Sequence, residues 1–365
     1  MPDRRAPGTG RACTLGAVKV LLTGTAGAAG WPEPGCRCAS CSGLPHGHRR
    51  PFEVVVDGVV HAPFRDLPDG YRSRAGGLGL AGPGGSRLLL LPRGQEVPEG
   101  GGPPYDIVLI DLLDRPERLG ELRRAGLADE RTLVVAAWLD HRVRSEEELA
   151  RRLRWWGAVT VPDGTELDAG VPRARHETPR RMPHETPRPA RRETPRRALL
   201  LGGSRSGKSA EAELRLAAEP YVSYVATGPE GAGDGEWAAR VRAHRERRPA
   251  HWETVETTDL VSVIAEATAP LLVDGLGTWL AAVFDEHGAW EGDRAPVGER
   301  CDALVAAWRQ ARAPIVAVSD EVGMGVVPAT ASGRAFRDAL GRLNERLAAE
   351  SEYVALVVAG RPLEL

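Results

Sequence analysis

The chain has 365 residues, 42% of them hydrophobic, and its 48 Lys+Arg against 50 Asp+Glu leave a formal net charge of -2. That length suits two domains, each with a sizeable core. The balanced charge argues against a dedicated nucleic-acid surface, the absence of a long uninterrupted apolar run against a membrane span, and five Cys, three of them bunched, against a disulfide framework. The Arg-rich start is not followed by the apolar stretch of a secretory leader, so a cytoplasmic protein is expected.

In the first half, residues 18–43 contain Thr23-Gly24-Thr25-Ala26-Gly27, then Gly30-Trp31-Pro32, then Cys36, Cys38 and Cys41. Three thiolates so close together, with tight turns between them, form half of a tetrahedral zinc site. The alternative is three unconnected buried thiols. His46-Gly47-His48 follows at once, and much later an apolar strand runs into Ala137-Trp138-Leu139-Asp140-His141. These segments resemble the metallo-β-lactamase-fold phosphodiesterases. The resemblance implies a structural zinc held by three Cys and a distant His, which here are Cys36, Cys38, Cys41 and His141. It also marks what is missing. Trp138 stands where that family's late H-x-x-H has a catalytic-metal ligand, and Arg50-Pro51 stand where H-x-H-x-D-H has Asp-His. Residues 1–170 are therefore expected to form a truncated, metallo-β-lactamase-like αβ domain, with a structural zinc and no di-metal centre. Its use would be docking, stabilisation or regulation through zinc. An active hydrolase is the rival reading, for which an indole and a guanidinium supply no metal ligands.

Residues 171–197 repeat Glu-Thr-Pro-Arg from Glu177, Glu185 and Glu193 and hold nine Arg against three Glu. Frequent Pro and mutual repulsion predict an extended, disordered spacer, basic enough to touch an anionic partner.

Beyond it, strands and helices alternate as in a parallel α/β sheet. Strands are predicted over 198–201, 221–226, 271–273, 315–319 and 353–359. Helices are predicted over 208–218, 234–247, 278–287, 298–311 and 333–350. The expected fold of 198–365 is thus α/β, a P-loop NTPase-type parallel sheet with helices on both faces. Its ligands would lie beyond the carboxyl ends of the strands.

The first of those strands runs into Gly202, Gly203, Ser204, Arg205, Ser206, Gly207, Lys208 and Ser209, which fits G-x-x-x-x-G-K-[ST]. Glycines let successive amides face one anion, Lys208 reaches the β/γ-phosphates, and the Ser209 hydroxyl can ligate Mg²⁺. Lysine is rare in this chain, occurring only as Lys19 and Lys208, while Arg fills the other basic positions. A compact point charge fits a P-loop where a planar fork does not. The alternative is a Gly-rich turn before a helix. Asp274 ends an apolar run, where a P-loop enzyme needs a carboxylate for Mg²⁺; a turn-forming Asp before Gly275 is the simpler reading. The P-loop, Thr227, Asp274 and Asp320-Glu321 all follow predicted strand ends, so they should share one crevice.

Several motifs then succeed one another: Tyr224-Val225-Ala226-Thr227, Arg240 with Ala243-His244, Arg248-Pro249, Trp252 to Glu256, Asp274 to Leu280, Glu321 to Pro328, and Arg334 with Phe336-Arg337-Asp338 and Leu343-Asn344. With the P-loop they resemble the bifunctional adenosylcobinamide kinase/adenosylcobinamide-phosphate guanylyltransferase family over residues 197–365. The resemblance implies two reactions in cobalamin assembly. A nucleoside triphosphate, ATP or GTP, phosphorylates adenosylcobinamide. GTP then donates GMP to adenosylcobinamide phosphate through a GMP-histidine intermediate, whose position here is His244. Thr227, Arg248, Pro249, Ala250, His251, Glu256 and Asp274 match nucleotide-contacting positions of the family. The family commonly reads Asn where this chain has Asp320. A homotrimer is implied as well.

The residue chemistry agrees with that carry-over. A neutral imidazole is nucleophilic near neutral pH, and Arg240, one helical turn before His244, and Arg247 and Arg248 just after it supply cations for a phosphate. A small-molecule kinase without guanylyltransferase activity is the alternative, and it would not need His244.

Overall fold

The computed structural model describes residues 18–170, 195–228 and 248–365. The predicted helix 234–247, with Arg240, His244 and Arg247, and nearly all of the spacer lie outside the described residues. The chain divides into two compact units, one built from most of the first half and the other from residues 189–365 together with 116–121 and 154–157.

The N-terminal unit is built on two sheets. The first orders its strands β3-β2-β1-β9, with β1 (Val18–Gly24), β2 (Glu53–Val56), β3 (Val60–His61) and β9 (Thr165–Ala169), all antiparallel. The second orders them β4-β5-β6-β7-β8, with β4 (Arg72–Arg74), β5 (Gly79–Ala81), β6 (Arg87–Leu91), β7 (Ile107–Ile110) and β8 (Leu133–Ala136). Strands β6, β7 and β8 run parallel. One apolar cluster takes Val18, Val20 and Leu22 from the first sheet and Leu88, Leu90, Ile107 and Leu109 from the second, so the sheets face each other across it. The period of two in β1 is what a strand buried on one face requires. Every residue of β7 and β8 is buried, as expected of strands covered on both faces. The helices of the first half are α1 (Ala39–Ser42), α2 (Glu117–Arg124) and α3 (Glu146–Trp156).

The C-terminal unit is a seven-stranded sheet in the order β12-β11-β13-β14-β10-β15-β16. These are β10 (Arg197–Gly202), β11 (Ser223–Ala226), β12 (Glu253–Glu256), β13 (Leu271–Asp274), β14 (Ile315–Asp320), β15 (Tyr353–Val358) and β16 (Arg361–Glu364). All neighbours pair in parallel except β15 with β16. All five predicted strands are present. Two more, β12 and β16, are additions at the sheet edges. The first carries Glu, Thr and Glu on an exposed edge, and the second contains Pro362, which only an edge strand tolerates.

The helices are α4 (Lys208–Leu216), α5 (Leu260–Glu266), α6 (Leu276–Glu286), α7 (Ala295–Gln310) and α8 (Ala331–Ala349). The sequence reading had no α5, a short helix whose start is fixed by the Asp259 cap accepting from Ser262 N at 3.1 Å. Helix α7 begins earlier than predicted because Pro296 occupies its first turn, where no amide hydrogen is needed. Leu199, Leu201, Leu271, Val273, Ile315 and Ala317 join Leu280, Leu304, Leu343 and other residues of α5 to α8 in one core. Helix α4 instead packs against β10, β13 and β14 without entering that cluster. Both faces of the sheet are therefore covered.

Candidate functional site

The strand register brings the carboxyl ends of the C-terminal sheet into line. Gly202 of β10 lies beside Asp320 of β14, and Ala226 of β11 lies between Glu256 of β12 and Asp274 of β13. The P-loop leaves β10 at Gly202. A methyl group there would meet Ser206 Oγ at 2.5 Å and the Val357 carbonyl at 2.7 Å. Arg205 (φ 57°) and Gly207 (φ 94°) turn the chain through the left-handed region, and α4 starts at Lys208. The loop is closed by Ser206 N on the Gly203 carbonyl at 3.2 Å and by Gly360 N on the Ser206 carbonyl at 2.7 Å. The result is an anion cradle at the positive end of a helix.

Lys208 Nζ donates to the Gly203 carbonyl at 3.1 Å and forms an ion pair with Asp320 at 2.9 Å. Ser209 Oγ donates to Asp274 Oδ1 at 3.1 Å, and Tyr224 Oη donates to Asp274 Oδ2 at 2.7 Å. Burial, reinforced by the Asp274 charge, raises the Tyr224 phenol well above its usual range, so it stays a donor. The Arg248 guanidinium lies 3.3 Å from the centroid of the Tyr224 ring and donates to Thr254 Oγ1 at 3.3 Å. A hydroxyl and a carboxylate this close, beside the P-loop lysine, suit a hard oxygen-preferring cation such as Mg²⁺.

Not every predicted residue is free to meet a nucleotide. Thr227 is 1% exposed, and its hydroxyl donates to the Gly275 carbonyl at 2.7 Å while accepting from Gly275 N at 3.2 Å. Its single proton holds the β13–α6 junction rather than a ligand. Glu321 caps its own turn by accepting from Gly323 N at 2.8 Å. Pro249, Ala250 and His251 form the turn into β12, with Trp252 N on the Pro249 carbonyl at 3.0 Å. Glu256 is exposed at the end of the edge strand. Four strand spacings separate it from Gly202, roughly 19 Å at ~4.8 Å each, while Asp274 is only two spacings away. Two positioning residues escaped the sequence reading although they sit inside quoted motifs. They are Tyr224, described above, and Asn344, which is 4% exposed and clamps the end of β14. Asn344 accepts from Ser319 Oγ at 2.6 Å and donates to the Asp320 carbonyl at 3.1 Å.

In the N-terminal unit, the ligand atoms of Cys36, Cys38, Cys41 and His141 all lie within 4.8 Å of one another. Among the described residues they form the group of His, Cys, Asp and Glu side chains that can surround a metal. His141 Nδ1 is 3.4 Å from Cys36 Sγ and 3.6 Å from Cys41 Sγ. A tetrahedron with Zn–S near 2.3 Å and Zn–N near 2.0 Å has an S···N edge of about 3.5 Å, so these side chains fit zinc. Cys38 caps α1, its sulfur accepting from Cys41 N at 3.5 Å. That amide lowers the Cys38 thiol, whereas burial pushes the Cys41 thiol up to about 11.

The remaining part of the expected hydrolase site is filled by other contacts. Trp138 stacks on Phe52, with centroids 4.0 Å apart. His48 Nε2 is 2.9 Å from Glu146 Oε1, and buried Arg49 grips the same carboxylate and donates to Thr25 Oγ1 at 2.8 Å and to the Val161 carbonyl at 2.8 Å. Arg142 reaches Asp140, Asp111 and Asp114 at 2.8, 2.8 and 2.7 Å. One guanidinium thus faces three carboxylates and offsets part of their charge.

Residues 198–365 match the family described as cobinamide kinase / cobinamide phosphate guanyltransferase. The chain is 42% identical over 177 residues to the bifunctional adenosylcobalamin biosynthesis protein CobP of Pseudomonas aeruginosa, covering 46% of this chain and 96% of that protein. It is 40% identical over 174 residues to the bifunctional adenosylcobalamin biosynthesis protein CobU of Salmonella typhimurium, covering 44% of this chain and 95% of that one.

Proposed function

The chain belongs, through residues 198–365, to the cobinamide kinase / cobinamide phosphate guanyltransferase family, and from that premise we propose that it performs both reactions. The observation that carries this reading is the assembly of the P-loop, Lys208, Ser209 and Asp274 at one end of the sheet. In the first reaction, the aminopropanol hydroxyl oxygen of adenosylcobinamide attacks the γ-phosphorus of ATP or GTP. The bond to the bridging oxygen breaks, a nucleoside diphosphate leaves and the hydroxyl proton is released. The P-loop amides and Lys208 stabilise the charge on the transferring group. Ser209 and Asp274 would hold Mg²⁺, which supplies further charge neutralisation on the phosphates. Tyr224 holds the Asp274 carboxylate in place for that role.

In the second reaction, a His244 nitrogen attacks the α-phosphorus of GTP and pyrophosphate leaves. An oxygen of adenosylcobinamide phosphate then attacks the same phosphorus, releasing His244 and forming adenosylcobinamide-GDP. Arg248 and Glu256 are assigned to the guanine nucleotide of this step, while Thr227 holds the β13–α6 junction beside Asp274. Pro249, Ala250 and His251 shape that side of the crevice. The N-terminal unit takes a structural zinc on Cys36, Cys38, Cys41 and His141 and has no catalytic role. The protein is assigned to the cytoplasm as a homo-oligomer, a trimer being the assembly to test. No helix among the described residues is long and apolar enough to cross a membrane.

The test is incubation with Mg²⁺ and GTP labelled in its α-phosphate. Acid-labile, alkali-stable label on the wild-type chain, absent from His244→Ala, is expected. No label on folded, nucleotide-binding wild type would leave a kinase alone.

A further inference from the structure

Asp320 places its charge on the P-loop lysine, the most consequential cation of the site. Its Oδ1 lies 2.9 Å from Lys208 Nζ, and the Lys208 side chain is only 14% exposed. An ion pair with one partner so withdrawn from water is screened less than a surface pair. The Asp320 backbone is held in place, although its side chain is 44% exposed. Gly202 and Asp320 are register partners, Glu321 N donates to the Gly202 carbonyl at 3.1 Å, and Asn344 Nδ2 holds the Asp320 carbonyl. Oδ2 lies against Gly277 so closely that a methyl group there would approach to 2.5 Å.

We propose that Asp320 is a built-in competitor for nucleotide phosphate, an anion that holds the P-loop lysine until a β-phosphate displaces it. The inference rests on the P-loop being the nucleotide site. Lys208 has one ammonium to give, and in the structure it is shared between Asp320 and the Gly203 carbonyl. A di- or triphosphate must take over that ammonium and then lies beside an anion that an Asn would not present. Both effects weaken the ground-state complex. The same anion favours departure of the diphosphate product, because it recaptures Lys208 as the product leaves. A nucleoside monophosphate too short to reach Lys208 escapes this competition. Asp320 is thus a positioning residue that sets nucleotide affinity through Lys208.

The experiment is calorimetric titration of the full chain, wild type and Asp320→Asn, with Mg-GTP, Mg-GDP and GMP. Asn fills the same space and keeps an acceptor, so the variant removes only the charge. Expected is a Kd for GTP and GDP about threefold to tenfold lower in Asp320→Asn at low salt, narrowing at high salt, with GMP unchanged. In kinase turnover the nucleotide KM should fall and inhibition by the diphosphate should strengthen. Asp320→Ala, checked for folding by its melting temperature, should tighten GTP and GDP at least as much. Equal or weaker binding of GTP and GDP by Asp320→Asn would overturn the proposal. Weaker binding that no longer depends on Mg²⁺ would make Asp320 a metal ligand instead. If neither protein binds nucleotide, the P-loop assignment falls as well.

Discussion

Tyr224 and Asp274 stand on neighbouring strands, and the phenol of one donates to the carboxylate of the other at 2.7 Å. The opposite oxygen of that carboxylate receives the Ser209 hydroxyl, so the group assigned to the metal has both oxygens oriented before any nucleotide arrives. Orientation of this kind is what positioning contributes to a phosphoryl transfer.

Tyr224→Phe should keep the ring beneath Arg248 and lose only this donor. The kinase kcat is expected to fall roughly tenfold, with a change in folding stability of about 1 kcal/mol. Steady-state kinetics at several Mg²⁺ concentrations check it, because a loosened Asp274 raises the Mg²⁺ requirement. An unchanged Mg²⁺ dependence would show that Asp274 needs no such support.

Metal analysis of the purified chain should find zinc at one ion per polypeptide, held by the Cys36, Cys38, Cys41 and His141 cluster found among the described residues. Cys41→Ser and His141→Ala should each lose it. Chelation should lower the melting temperature of the N-terminal unit, since a structural zinc contributes its binding energy to folding. Retention of stoichiometric zinc in both variants would place the ion elsewhere.

The Glu146 carboxyl carries a pH signature. Burial, the largest influence, would raise it, but hydrogen bonds and charge from Arg49 together with those from His48 hold it below the ordinary glutamate value of 4.5. A lowered folded-state value means that the stabilisation is fully present above pH 4.5 and is lost as the pH falls through the folded value. Urea unfolding of wild type and Glu146→Gln should therefore show a stability gap that is constant at neutral pH and closes in acid. A gap independent of pH would mean that the charge on Glu146 contributes nothing.

What could be read from the sequence was what is local. The P-loop declares itself because its glycines, lysine and serine are consecutive, and the strand before it and helix after it appear where expected. The three thiols are equally local. His141 is 105 residues from Cys36 and was placed only through a family resemblance. That Asp320 shares a crevice with the P-loop follows from the strand ends, but its pairing with Lys208 does not, since only the strand order brings β14 beside β10. Strand β12 was hidden by its polar, exposed Glu253-Thr254-Val255-Glu256, which lacks the apolar signal of an inner strand. Thr227 was given a nucleotide contact through the family resemblance; the bond of its hydroxyl to the Gly275 carbonyl is a tertiary contact that no local pattern shows.

Strand β1 has β2 on one side and β9 on the other, so Val18 is paired with Ala169. The first described strand of the N-terminal unit waits for the last one. During synthesis, β1 can form its hairpin-side partner early, yet its other edge stays open until almost the whole unit has left the ribosome. Such distant closure is slow, and an open apolar edge invites pairing with other chains. A shortened gene product ending before β9 would expose that edge permanently, and insolubility would be its first symptom.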